Sequence, residues 1–186
     1  MDLPAAEYIR HRLIRFEQSV DDTALHYSKL ERSGTGCASA PYREKCAIRA
    51  LLNSPDYRGP EYELLMQEYF RITQKLESFR NKKGPEYLNH LFCELRNYAH
   101  AYHAAVCYLQ LGQSDPDILI ALSRRDLIGE LCRELDSDFE LSGIKALVTR
   151  MDENLSSSVP ADHGLSNGAD TPSCDPNRKP RSSARG

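Results

Sequence analysis

Histidine and cysteine side chains are concentrated between positions 90 and 107, where they could bind a metal ion. The side chains in question are those of His90, Cys93, His100, His103 and Cys107. Imidazole nitrogen and thiolate sulfur are ordinary zinc ligands. On one helix, with a rise of about 1.5 Å per residue, these positions are too widely spread along the axis to meet a single ion. Only neighbours three or four residues apart could chelate as a pair, namely His90 with Cys93, His100 with His103, or His103 with Cys107.

Such a pair would need further ligands from elsewhere in the chain. The candidates are Cys46, Cys132 and His26. The sequence contains neither Cys-x-x-Cys nor the Glu-x-x-His motif that a di-iron bundle would use. The pattern therefore favours core cysteines and histidines at a helix edge, and we expect no cofactor. The alternative is a helical-bundle enzyme that binds a metal or a ligand through His100, His103 and Cys107.

Two groups of arginine residues could bind a phosphate or an acidic protein surface. Arg12 and Arg15 fall in the first predicted helix, and Arg124 adjoins Arg125 near the middle of a later one. Guanidinium groups bind both phosphate and carboxylate through paired hydrogen bonds. The net charge of -3 and the lack of a basic arm argue against nucleic acid as the main partner. Nucleic-acid binding through the first-helix arginines remains a weaker alternative, and solvated helix faces are the simpler interpretation.

A basic run precedes two serine residues near the C-terminus, in the sequence Arg-Lys-Pro-Arg-Ser-Ser at residues 178–183. Arginine upstream of serine suits a basophilic kinase, which makes Ser182 and Ser183 candidate phosphorylation sites. Phosphate would add about −1.5 to −2 charges at each site. Residues 156–186 are rich in Ser, Pro, Gly, Asn and Asp and poor in apolar side chains. We therefore predict a disordered tail there.

The elements that position these side chains are predicted to be helices. Residues 97–114 contain no Lys, Arg, Asp or Glu, whereas the rest of the chain is charged at nearly every turn. A helix without a charged stripe is expected to be covered by other helices on more than one side. Its main apolar face would consist of Leu88, Leu91, Phe92, Leu95, Ala99, Tyr102, Val106 and Leu109. Its opposite face would hold Cys93, His100, Ala104, Cys107 and Leu111.

Two other segments carry apolar residues spaced alternately three and four apart. In the first they are Ala6, Ile9, Leu13, Phe16, Val20, Thr23, Tyr27 and Leu30. In the second they are Tyr62, Leu65, Tyr69, Ile72, Leu76 and Phe79. Narrow seams of this kind pair helix with helix. We favour pairing of these two helices inside the chain; the alternative is that one seam, through residues such as Phe16 or Tyr69, binds another chain.

Proline, glycine and capping residues mark the remaining boundaries. The predicted helices span about residues 4–32, 41–52, 60–81, 85–111 and 115–136, with a last short helix ending near Leu155. A break is expected in the fifth segment near residues 124–126, where Asp126 could cap a new helix. The sequence thus predicts an all-α fold, a single bundle of five or six helices over residues 1–155, followed by the tail of residues 156–186.

Composition limits the function. Hydrophobic residues make up 40% of the chain, but no run of about 18 apolar residues occurs, so we expect no membrane span. The start lacks signal-peptide features and the cysteines are scattered, which favours reduced thiols in the cytoplasm or nucleus. Without a catalytic motif, and with ten tyrosines, the chain is predicted to be a non-enzymatic protein-interaction module, an adaptor or small complex subunit, with a homo-oligomer as an alternative. Its predicted interaction residues are Arg12, Arg15, Phe16, Tyr69, Arg124 and Arg125.

Overall fold

The computed structural model describes residues 5–28, 38–54 and 59–158. The regular elements in these residues are the helices α1 (Ala5–Ser28), α2 (Ala40–Leu52), α3 (Tyr62–Lys83), α4 (Pro85–Gln110), α5 (Pro116–Ser123), α6 (Arg125–Leu135) and α7 (Ser142–Ser158). The predicted all-α bundle is confirmed, and α5 and α6 are the two halves of the fifth predicted segment, broken at Arg124. The predicted boundary at residue 156 is slightly too early, because α7 continues to Ser158. The remainder of the predicted tail, with Ser182 and Ser183, lies outside the described residues.

Local sequence explains where several helices begin and end. Gly84 separates α3 from α4 with a φ of 56°, a backbone conformation that glycine adopts without strain. Pro85 follows in the first turn of α4, where its missing N–H is not needed. At the start of α5, the Asp115 carboxylate accepts the N–H of Asp117 at 2.8 Å and caps the helix. Gly84 and Pro85 agree with the start and stop signals read from the sequence, whereas Asp126 does not cap α6: the helix begins at Arg125, so Asp126 lies in its first turn.

Helices α1 and α3 pack side by side and run in the same direction. Three contacts mark the length of the pair: Arg10 with Glu61, Phe16 with Tyr69, and Tyr27 with Phe79. The apolar seams of both helices are buried along this contact. Pairing of these helices inside the chain is therefore confirmed. Phe16 and Tyr69, which we predicted as interaction residues, are 0% and 6% exposed and lie in the core, so no partner can reach them in this arrangement.

Helix α4 is the central helix, in contact with α3, α5, α6 and α7. Its inner face is buried through Tyr87, Leu91, Leu95, Ala99, Tyr102 and Val106. Its opposite face is open, with Cys93, His100, Ala104, Tyr108 and Leu111 exposed. The prediction that this helix lacks a solvent-facing side is wrong there, because the short helix α5 covers only the flank near Ala105. Although residues 97–114 are uncharged, no described helix is both long and apolar enough to cross a bilayer.

Helix α2 lies between α1 and α6 and is anchored at its start by α4. The carboxylate of Glu94 accepts the N–H groups of Ala38 and Ser39 at 2.6 and 2.9 Å. The hydroxyl of Tyr87 donates to the carbonyl of Ala38 at 2.7 Å. An anion beside a helix N-terminus is favourable because the helix dipole is positive there. Glu94 therefore fixes both the position and the direction of the segment that leads into α2.

Candidate interaction surfaces

Three of the four predicted interaction arginines contact α2 or α4 within the chain. Arg12 and Arg15 both face the carboxylate of Glu44, each at 3.3 Å. Glu44 is only 8% exposed, so this contact joins α1 to α2 at the edge of the core. The guanidinium of Arg124 lies 5.0 Å from the ring centre of Tyr98, in a cation–π contact with α4. These contacts hold helices together and leave Arg12 mostly buried, whereas the side chain of Arg15 remains 63% exposed.

Arg125, the fourth of these arginines, joins α6 to α7 and α4. Its Nε and Nη2 atoms donate to the carboxylate of Asp152 at 2.9 and 2.6 Å. The hydroxyl of Tyr102 donates to the same carboxylate at 2.6 Å. The hydrogen bonds from Arg125 and Tyr102 lower the pKa of Asp152 despite its partial burial. Burial, together with the Asp152 charge, raises the pKa of Tyr102 to about 12. This arrangement is a structural junction built around one ionised carboxylate.

The predicted metal ligands are only partly brought together. The Sγ atom of Cys107 lies 3.7 Å from Nε2 of His103, as their spacing predicts. His100 is exposed and lines a separate groove of about 280 Å³ between α4 and α7, beside Glu140. Cys46 lies elsewhere, against the Asp126 carbonyl of α6. In the part of the chain that the structure describes, no group of three or more His, Cys, Asp or Glu side chains is placed to hold a metal ion.

A buried ionic network joins α2, α3 and α6, and the sequence analysis missed it. The carboxylate of Glu130 is 2% exposed and contacts Lys45 at 3.0 Å, Arg49 at 2.6 Å and Arg133 at 2.5 Å. Lys45 also contacts Glu134, which Arg80 of α3 meets at 2.7 Å. Burial alone would raise the pKa of Glu130, but hydrogen bonds from Arg133 and Lys45 outweigh it and hold the pKa at about 2. Glu130 is therefore ionised in the folded chain at neutral pH.

An apolar groove lies open between the N-terminal halves of α1 and α3. Its floor contains Leu13 and Leu65, which are 3% and 4% exposed, and its volume is about 360 Å³. Its walls include Ile14 and Leu64, whose exposed fractions are 56% and 65%. A second depression of about 460 Å³ shares Ile14 and Arg10 with it and extends it along α1. We call this continuous surface the α1–α3 groove.

Charged side chains surround the α1–α3 groove. They are Glu7, Glu17, Glu61 and Glu68, with Arg10 and His11. Arg10 contacts Glu61 at 2.8 Å, and Arg71 binds Glu17 and Glu68 together. Hydrogen bonds from Arg71 and Lys75 hold the pKa of Glu17 at about 2. Glu17 is therefore ionised at neutral pH, and carboxylates outnumber basic groups in the lining.

The sequence analysis missed the groove because it followed only the buried seams. Ile14 comes directly after the seam residue Leu13, and Leu64 comes directly before the seam residue Leu65. Adjacent residues on a helix point about 100° apart, so a second large aliphatic side chain beside a seam residue projects from its edge. The signal was therefore present as two adjacent pairs of aliphatic residues in otherwise charged surroundings.

The chain has no significant match among known protein-family models, curated proteins or solved structures. No relative therefore supplies a set of functional residues, and the function has to be inferred from the surfaces themselves. The α1–α3 groove combines a concave shape, large exposed aliphatic side chains and an ordered charged rim. These are the features of a surface that binds another molecule.

Proposed function

We propose that the chain is a non-enzymatic protein-interaction module, an adaptor or small subunit of a larger assembly, which binds an amphipathic helix of a partner protein in the α1–α3 groove. The observation that carries this proposal is the exposure of Ile14 and Leu64 above a floor made by Leu13 and Leu65. Covering aliphatic surface gains about 25 cal/mol per Å² removed from water. A partner that fills the groove would remove these side chains from water together.

The dimensions of the groove suit a helix. Its lining runs along α1 from Ala6 to Glu17, which corresponds to roughly 17 Å at a rise of about 1.5 Å per residue. That distance is about three helical turns. A partner helix with apolar side chains three and four residues apart presents one continuous stripe of similar length. Its side chains would pack between Ile14 and Leu64, as ridges of one helix pack into the grooves of others.

The charges of the rim favour a basic partner helix. Glu7 and Glu61 lie toward one end of the groove, and Glu17 and Glu68 line the other. Because Glu61 pairs with Arg10, and Glu17 and Glu68 share Arg71, the rim keeps only a small negative excess, which lysine or arginine on the flanks of the partner would meet. Complementary charges of this kind mainly raise the association rate and the specificity, because exposed ion pairs add little affinity. A helix with acidic flanks would be repelled.

The other functions considered receive less support from the geometry. His103 and Cys107 form a pair, while His100 lines a different groove, so the enzyme or ligand-binding alternative lacks a common site for all three. Arg12 and Arg15 both pair with Glu44, and this carboxylate neutralises part of the positive charge that nucleic-acid binding would need. We place the module in the cytoplasm or nucleus, since the described cysteines are free thiols.

Differential affinity capture tests the proposed function. The full chain, an Ile14→Asp, Leu64→Asp double variant and a Leu25→Asp control are used as baits in the same cell lysate. Leu25 is the matched control because it lies on α1 and is 52% exposed, yet it does not line the groove. Charges in the groove should weaken helix binding at least tenfold, since each carboxylate would have to be desolvated.

The expected result is a stoichiometric protein that the wild type and Leu25→Asp retain and the double variant loses. That protein should contain an amphipathic helix with basic flanks, and the corresponding synthetic peptide should bind the full chain. Circular dichroism checks that all three baits remain folded. The same proteins on all three baits, or none on any, would contradict the proposal.

A further inference from the structure

A further cavity lies between the C-terminal half of α2 and the face of α6 that runs from Arg125 to Arg133. Its volume is about 270 Å³. Three guanidinium groups line it, those of Arg49, Arg125 and Arg133, and Asn53 adds an amide group. We propose that this cavity binds a phosphate monoester through these arginine side chains. This inference is independent of the α1–α3 groove, because the two sites share no residue.

The ionic network beside the cavity carries an excess of positive charge. Its four cations, Lys45, Arg49, Arg80 and Arg133, share the two carboxylates of Glu130 and Glu134. The carboxylates are the more deeply placed groups, since the side chains of Glu130 and Glu134 are 2% and 15% exposed. The side chains of Arg49 and Arg133 are 37% and 61% exposed. Arg125 adds a fifth cation, while Asp126 and the Arg125 partner Asp152 add two carboxylates, so the surroundings of the cavity keep an excess of one positive charge.

Arg49 and Arg133 retain donor groups for a ligand. Each guanidinium reaches the carboxylate of Glu130 through one terminal nitrogen, Nη1 of Arg49 and Nη2 of Arg133. A guanidinium carries several N–H groups in a planar fork, so further donors on both side chains can point outward. Because Glu130 already orders the two side chains, little conformational entropy is lost when an anion binds.

Arg125 contributes a third donor group that is held in place by its neighbours. Its Nε and Nη2 atoms bind Asp152, and its Nη1 atom lies next to Gly129. A Cβ atom at position 129 would be 3.3 Å from Nη1, so glycine leaves room for the guanidinium at this point. Gly129 also lines the cavity. The Nη1 group is therefore available at the cavity wall.

The chemistry of the lining selects a compact dianion. Planar guanidinium groups bind pairs of phosphate oxygens through parallel hydrogen bonds. A phosphate monoester carries about −1.5 to −2 charges at pH 7, which suits the excess positive charge. Asp126 also lines the cavity and weakens its attraction for an anion, so the phosphate would be held by the three arginine side chains. A nucleic-acid strand would need an extended basic track, whereas this cavity is small and the chain has a net charge of -3.

Titration of the full chain with inorganic phosphate, O-phosphoserine and serine tests this site. Binding is followed by amide chemical shifts at constant ionic strength. Phosphate and O-phosphoserine should bind with a dissociation constant of about 1 mM or tighter and shift amides near Arg49 and Arg125, whereas serine should not.

Arg133→Gln should weaken binding about tenfold, and Asp126→Asn should strengthen it. Arg150→Gln is the matched control, because Arg150 is exposed on α7 and lies outside the cavity.

Arg133→Lys separates charge from geometry, because it keeps the cation but loses the planar fork. Its affinity should lie between those of wild type and Arg133→Gln. No binding at about 10 mM phosphate, or equal affinities in Arg133→Gln and Arg150→Gln, would overturn the proposal. The source of the phosphate is identified by a phosphoserine peptide. Binding more than tenfold tighter than O-phosphoserine indicates a phosphorylated protein, and equal binding indicates a small phosphorylated molecule.

Discussion

Glu130 is the central carboxylate of the buried ionic network that joins α2, α3 and α6. Its carboxylate is almost fully buried and contacts Lys45, Arg49 and Arg133. A buried ion pair is not in itself more stable than a well-packed apolar contact. Removal of one partner is nevertheless costly, because the remaining charges stay in a poorly solvating environment. Glu130 also orders the two arginines that line the proposed phosphate site.

Glu130→Gln should lower the free energy of unfolding by about 3 kcal/mol, because it leaves the three cations with one fewer buried carboxylate. Chemical denaturation of the wild type and the variant measures the difference. Glu63→Gln, an exposed position on α3, is the control and should change stability by less than about 0.5 kcal/mol. If the two variants lose equal stability, Glu130 is not the buried centre of the network.

At the scale of the elements, α2 depends on contacts made by other helices. It begins where Glu94 of α4 accepts the N–H groups of Ala38 and Ser39. Its first half meets α1 through Glu44, and its second half meets α6 through Arg49. A helix of 13 residues is marginal alone, so these tertiary contacts supply most of its stability. Loss of these tertiary contacts should therefore destabilise the whole of α2.

Glu94→Gln should destabilise the bundle by about 1–2 kcal/mol, because the amide keeps only one acceptor oxygen: one of the two hydrogen bonds is lost and the other is made to a neutral acceptor. In hydrogen exchange, the loss of protection should appear first in the amides of α2. The first of these is the amide of Arg43, whose N–H donates to the Ser39 carbonyl. Glu86→Gln, at an exposed position of the same helix, is the control. Unchanged protection of α2 in Glu94→Gln would contradict the anchoring role.

The helices were predictable from sequence, whereas the contacts between distant charges were not. The spacing from Ile9 to Tyr27 identifies a buried seam, because a helical face repeats every three or four residues. A seam does not tell the direction of the partner helix, so the parallel course of α1 and α3 was not predicted. Lys45 and Arg49 form one pair spaced by four, and Glu130 and Glu134 form the matching pair. Nothing local in the sequence indicates that these two pairs meet.

The candidate sites were harder to predict than the fold. Exposure depends on which neighbours cover a helix, and the uncharged segment of α4 is covered on its inner face and one flank but open on the opposite face. Ile14 and Leu64 are exposed because α1 and α3 pack through the residues next to them. Arg125 was predicted as an interaction residue, and the sequence did not indicate that Asp152, 27 residues away, binds it at a partly exposed junction of α6 and α7. Contacts between residues this far apart in the sequence depend on how whole helices pack, which the local sequence does not show.

On the scale of the whole molecule, ionised carboxylates join most of the helices. Glu17 connects α1 to α3 through Arg71, Glu130 connects α2 to α6, and Asp152 connects α6 and α7 to α4. The pKa values of Glu17 and Glu130 are both held at about 2. The fold is thus stabilised by carboxylates that must stay deprotonated. Acid should therefore weaken several junctions of the bundle together.

Stability should fall in acid over a defined window of pH. The pKa values of Glu17 and Glu130 are lower in the folded chain than the ordinary value of 4.5. Their contribution is therefore fully present above about pH 4.5 and is lost progressively as the pH falls toward about 2. Chemical denaturation at about pH 6, 4 and 3 measures the loss. It should be smaller in Glu130→Gln, and a flat profile in the wild type would contradict these pKa assignments.

The most direct test of the proposed function is photocrosslinking from inside the α1–α3 groove in living cells. A photoreactive amino acid is placed at Ile14 in one version of the full chain and at Leu25 in another. Both positions are exposed on α1, but only Ile14 lines the groove. We predict a discrete crosslinked protein from position 14 that is not obtained from position 25. No product from position 14, or the same products from both positions, would contradict binding in the groove.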